Sequence, residues 1–236
     1  MYSFYQTLFG RRDVRGEFLP DPVPDDVLAR LLTAAHHAPS VGLSQPWNFV
    51  LVRDKQVKHA VHSAFVEANQ EARQQFGAER RELYSALKLQ GILDAPLNIC
   101  VTCDRDRGGP VVLGRTHQPD MDLYSTVCAV QNMWLAARYE EIGIGWVSII
   151  KPEQLQQILC LPEQVVPVAY LCLGYVSGFR EEPELAQRGW ADRLPLQELV
   201  FCDRWGERAE ESALDEALSA LADWPRRIVL GEAPEE

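Results

Sequence analysis

The chain has 236 residues, 47% of them hydrophobic and 24% charged, with a formal net charge of -11. That length allows one large domain or two small ones, and the composition is ordinary for a globular chain. No apolar run reaches the roughly 18–20 residues of a membrane span, the N-terminus lacks the basic-then-apolar order of a signal peptide, and the acidic balance argues against nucleic acid as the main partner, so a cytoplasmic location is expected by default.

In chain order, a first helix is predicted over residues 2–9 and a second from Pro24 to His37, with Val27, Leu28, Leu31, Leu32 and Ala35 on one face and Asp25 and Asp26 in the first turn. The run "WNFVLVRD" (47–54) reads as a strand, residues 57–90 as a polar helical region broken near Gly77, and "PLNICVTC" (96–103) as a second strand. Residues 104–122 have the Gly, Pro and Asp content of a long loop, either a lid over a ligand or a surface excursion packed on its own domain. Residues 123–139 form a helix apolar on nearly all sides, which places it in a large core or at a subunit interface. A strand over 142–150, a short helix from Pro152 and a last strand over 168–176 follow. Residues 177–206 look irregular; an acidic tail begins at Glu207, with Leu214, Leu218 and Leu221 on one amphipathic piece and a frayed end.

Strands and helices alternate too unevenly for a βαβ series, and neither GxGxxG nor GxxxxGK[ST] occurs, so an α+β domain is expected and a Rossmann or P-loop site is not. The pair Cys100 and Cys103 has CxxC spacing, but three residues apart on a strand they point to opposite faces; no metal site is expected there or elsewhere. His59 and His62 read as a solvated helix face, and no serine sits in a GxSxG elbow. Three unusual polar features remain. Arg11, Arg12 and Arg15 surround Asp13. The turn-rich "APSVGLSQPWNF" holds Ser40, Gln45 and Trp47. Ser148 is a lone hydroxyl in an apolar strand, where a satisfied core serine is the plainer reading.

Together, "RRDVR", "APSVGLSQPWNF", "APLNICVTCDRDRGGPVVLGR", "MDLYSTVCAVQNMWLAAR" and "GIGWVSI" resemble the flavin-destructase branch of the nitroreductase-like family, over about residues 5–206. General nitroreductases carry a serine where Asp13 stands and lack the "DRDRGGPVVLGR" loop. One departure lies in the turn, where the family reads Phe-Met and this chain has Leu43 and Ser44.

The resemblance implies an α+β three-layer sandwich with a central mixed or antiparallel sheet, in a domain-swapped homodimer with two FMN sites at the interface. It divides the chain into an FMN-binding domain, 1–206, and the tail, 207–236. Reduced FMN would be a substrate, fragmented with dioxygen to 5,6-dimethylbenzimidazole, the lower ligand of cobalamin, and erythrose 4-phosphate. A separate NAD(P)H-dependent flavin reductase would supply the electrons. Arg11 and Arg15 would hold the phosphate and ribityl region, with Arg193 also approaching the phosphate. Arg12, through its backbone, and Val14 belong to the same binding run. Pro39, Ser40 and Gln45 would serve the neighbouring subunit's flavin. Ser148 would stand beside the reactive edge of the ring, and Asp13 would act as general base or proton shuttle in the fragmentation. Two other functions share this fold: an NAD(P)H-dependent flavin reductase, and a silent flavin carrier.

Overall fold

The computed structural model describes residues 2–208 and 212–232. They divide into two compact units, Arg12–Phe179 and Met1–Arg11 with Arg180–Glu236.

The larger unit is built on a four-stranded antiparallel sheet in the order β1-β2-β4-β3, with β1 Trp47–Val52, β2 Leu97–Asp104, β3 Ile142–Val147 and β4 Val165–Tyr175. Alternation of side chains divides β2 between two cores. Leu97, Ile99 and Val101 face helices α2 (Asp25–His36) and α5 (Met121–Tyr139), whereas Cys100 faces α3 (Lys55–Gln74) and α6 (Pro152–Ile158). The result is three layers, helix–sheet–helix, as the α+β reading predicts. Cys103 bonds Thr126 of α5, so the two CxxC sulfurs do lie on opposite faces of β2.

Local chemistry sets the boundaries. Asp54 caps α3 by accepting from Gln56 N (2.8 Å) and Val57 N (3.0 Å). Gly77 separates α3 from α4, Ala78–Ala86. Two strand boundaries differ from the sequence pattern. β4 starts at Val165 rather than at 168, because Pro167 sits opposite Thr102 at a register shift, where a residue without an N–H is tolerated. β3 stops at Val147 rather than at 150: its partner Tyr170 is the last of β4's residues that it pairs, and Ser148–Ile150 leave the sheet.

In α5, Ala129, Val130, Met133 and Ala137 are buried, but Tyr124, Val127, Cys128 and Tyr139 form a largely apolar stripe exposed within this chain. Among the described residues no helix is long and apolar enough to cross a membrane.

The smaller unit contains α1 (Phe4–Gly10), α7 (Glu184–Gln187), α8 (Ala213–Ala220) and α9 (Trp224–Val229). A capping box between Ser3 and Gln6 starts α1. Trp224 meets Tyr5 and Phe9 edge-on, at centroid distances of 4.8 and 5.1 Å, and Ile228 is buried. The tail predicted from Glu207 therefore contains two helices, although Leu214 and Leu221 of the amphipathic piece stay about half exposed. Residues 233–236 of the predicted frayed end lie outside the described residues.

Candidate active site

The chain from Arg12 runs beside β3, the edge strand of the sheet, and supplies the bonds that the edge lacks. Val14 N donates to Ile144 O at 3.0 Å, and Asp13 Oδ1 accepts from Trp146 N at 2.8 Å. A carboxylate thus stands in for a strand carbonyl. Close approach is possible because β3 carries Gly143 and Gly145: a Cβ at Gly145 would fall on the carbonyl oxygen of Val14.

Asp13 Oδ2 receives both Nε (2.7 Å) and Nη2 (2.5 Å) of Arg15, whose Nη1 makes a long contact, 3.4 Å, to Lys88 O. The pair is partly buried, and Trp146, whose N–H it holds, precedes Ser148 by two residues along the chain. Arg12 has a largely buried side chain, and its carbonyl accepts from Trp134 Nε1 of α5 at 3.2 Å. Val14 is buried. Ser148 is not the core serine of a strand: it lies just past β3, exposed, on a cleft of about 180 Å³ lined by Trp146, Ile150, Pro152, Leu155 and Pro167–Tyr170. Its hydroxyl makes no hydrogen bond among the described residues. Arg11 ends α1, and Arg193 is exposed between α7 and a 3-10 turn at Leu196–Leu199; both belong to the smaller unit.

The second predicted group forms a tight turn. Pro39 is exposed, and Ser40 Oγ accepts from Gln45 N at 3.1 Å. Gly42, Leu43 and Gln45 all have left-handed backbones, with φ of 54°, 52° and 47°. For a leucine this is strained and must be held by its surroundings. The holder is the 105–120 loop. Arg107 Nη1 donates to Gln45 O and Trp47 O, both at 2.9 Å, and Nη2 to Asn48 Oδ1 at 2.5 Å. Val112, buried, packs where a Cβ on Gly42 would fall.

Both groups hang from α5, but from opposite faces. Val41 N donates to Ser125 Oγ, and Trp134 donates to Arg12 O. These helix positions are nine residues apart, two and a half turns and about 13 Å along the axis. The structure therefore joins Asp13 with Arg15, Asp13 through Trp146 with the start of the Ser148 segment, and Ser40 with Gln45. It does not bring the Ser40 group onto the Asp13 group within one chain.

The nitroreductase family profile matches residues 8–175. The chain belongs to the nitroreductase family. It is 41% identical over 185 residues to a 5,6-dimethylbenzimidazole synthase of Rhodospirillum rubrum, covering 78% of this chain and 87% of that one. A 5,6-dimethylbenzimidazole synthase of Rhodobacter capsulatus is 37% identical over 192 residues, 81% and 92% of the two chains. Among solved structures, iodotyrosine deiodinase bound to FMN and 3-iodo-L-tyrosine superposes with a TM-score of 0.66 at 17% identity, over 86% of this chain and 99% of that one.

In this member of the nitroreductase family, sequence reading missed Trp146, Arg107 and Asp122. Trp146 acts through its backbone N–H, which leaves no signature. Arg107 and Asp122 do stand in the quoted loop and helix motifs, but their partners are far along the chain or across the loop.

Proposed function

We propose that this chain converts reduced FMN and dioxygen to 5,6-dimethylbenzimidazole and erythrose 4-phosphate, as a step toward the lower ligand of cobalamin. The observation that carries the reading is Asp13, a carboxylate fixed by Trp146 N–H on one oxygen and by Arg15 on the other, where general nitroreductases have serine. Its support beyond the site is the identity, 41% and 37%, to two chains named for this synthesis.

The donor set suits FMN. The Arg15 guanidinium suits a phosphate, and the apolar cleft beside Ser148 suits the edge of an aromatic ring. At about 180 Å³ that cleft is smaller than the roughly 300–1,000 Å³ of most ligand sites, so one chain encloses only part of the ligand. Pro39, Ser40 and Gln45 on the far face of α5 would complete the site of a second copy, in a homodimer packed through the exposed α5 stripe.

Reduced FMN supplies the electrons and the ring from which the benzimidazole is cut. The protein residues do the rest. Arg15 binds the phosphate, Ser148 Oγ–H donates to the ring edge, and Asp13 takes a proton at a carboxylate oxygen lone pair that its three hydrogen bonds leave open. The 105–120 loop excludes water from the site. A separate NAD(P)H-dependent reductase delivers the reduced flavin. Aerobic incubation with chemically reduced FMN and chromatography for dimethylbenzimidazole tests the reading; oxidised FMN and peroxide alone would place the chain with the flavin reductases.

A further inference from the structure

We infer that Asp122 is a positioning residue: a buried carboxylate that clasps both ends of the loop segment 105–115 and keeps it closed. Asp122 is 1% exposed, yet it faces two arginines from opposite ends of that segment. Arg105 Nη1 donates to Oδ1 at 2.8 Å, and Arg115 Nη1 lies 3.2 Å from Oδ2. Oδ1 also accepts from Leu123 N at 2.8 Å in the first turn of α5, so the carboxylate is fixed to the helix. Arg105 adds Asp120 Oδ1 (3.0 Å) and Pro119 O (3.3 Å).

The eleven-residue excursion from Arg105 to Arg115 is thus closed at its base by one acid. Burying a carboxylate is costly unless it is paired, and among the described residues the cations that pair it, Arg105 and Arg115, come from the loop. Opening the loop would strand the charge, so loop closure and Asp122 burial are one event. Oδ2 makes the point sharper: it accepts no hydrogen bond among the described residues, and Arg115 is the cation beside it. Farther out, Arg107 ties the loop to the 45–48 backbone and Val112 wedges it against Gly42. Val111 and Leu113, on either side of that wedge, are 81% and 84% exposed. Their outward placement is fixed by the inward one of Val112, and the clasp sets that register.

This inference rests on the proposed reaction for its consequence. A loosened loop admits water, and the two electrons of reduced FMN then go to dioxygen with two protons, giving peroxide and oxidised FMN in place of product. The clasp itself can be read without the reaction, because Arg105, Arg107 and Arg115 are trypsin sites.

The test uses the whole 236-residue chain with Asp122→Asn and, in case that variant folds poorly, Arg115→Gln. Three quantities are measured: the rate of tryptic cleavage after Arg107, FMN affinity, and the ratio of dimethylbenzimidazole to peroxide per flavin consumed. The clasp predicts cleavage faster by about tenfold or more in both variants, FMN affinity within about twofold, and a product ratio shifted several-fold toward peroxide. It also predicts that Arg115→Gln adds little in the Asp122→Asn background. Unchanged cleavage in folded Arg115→Gln overturns the clasp. Faster cleavage with an unchanged product ratio overturns the positioning role. If the unsubstituted chain makes peroxide and no dimethylbenzimidazole, the proposed reaction fails, while cleavage still decides the clasp.

Discussion

Asp13 has two jobs that a single substitution can separate. Its Oδ1 satisfies an edge N–H of β3, which an asparagine carbonyl could also do; only the carboxylate can accept a proton. Asp13→Asn is therefore expected to fold and bind FMN with little change while losing dimethylbenzimidazole formation by at least about 100-fold, the usual scale of a lost general base. Fluorescence titration and single-turnover product assays check the two halves; product at the native rate would make Asp13 purely structural. Arg15 differs, because both roles draw on the same fork. Arg15→Ala should weaken FMN binding by about 1.5–3 kcal/mol, one charge-assisted contact, and an unchanged dissociation constant would remove it from the phosphate site. Both residues were conspicuous in the sequence as charges of opposite sign two positions apart. That they pair, and that Asp13 also reaches β3, was not legible, because the second partner is a backbone N–H more than 130 positions away.

At the scale of elements, the strand–helix order followed from periodicity and turn residues, and the errors have physical causes. "GWVSII" continues a β-rich pattern past Val147, but a strand exists only where a partner does, and the pairing of β3 with β4 ends at Val147 and Tyr170. Pro167 reads as a strand boundary, yet it falls at a register shift where the missing N–H does no harm. The loop was visible from its composition, but its fastening was not: Arg107 grips carbonyls 60 and 62 residues away. Gly145 shows how an element shapes the site. Since a Cβ there would meet backbone rather than a flexible side chain, Gly145→Ala must push the Arg12–Val14 segment off the edge of β3. The expected cost is about 2–3 kcal/mol, read by urea unfolding, together with loss of FMN affinity. A stable variant with native affinity would show that the close contact between β3 and this segment is dispensable.

At the scale of the whole molecule, the question is what covers α5. An all-round apolar helix was expected in a core or at an interface, and the chain buries one side and leaves Tyr124, Val127 and Cys128 bare. The proposed homodimer gives a cysteine footprint. Burial pushes the Cys100 and Cys172 thiols up to about 12 and raises Cys103, so these three should resist alkylation at pH 8 in any folded form. Cys160 and Cys202, exposed, should react. Cys128 reports assembly: it should be protected in the dimer and become reactive in Tyr124→Asp, a substitution that puts charge into the stripe. Mass spectrometry of alkylated protein, beside a sedimentation measurement, reads both. Rapid labelling of Cys128 in the unsubstituted chain would mean that α5 is not the interface.

The most direct measurement is product analysis after the chain is mixed with chemically reduced FMN in air, at enzyme and flavin concentrations high enough for a single turnover. Most of the flavin is expected to be recovered as dimethylbenzimidazole and erythrose 4-phosphate, and Asp13→Asn to return it instead as oxidised FMN with one equivalent of peroxide. Quantitative recovery of oxidised FMN from the unsubstituted chain would contradict the proposed reaction.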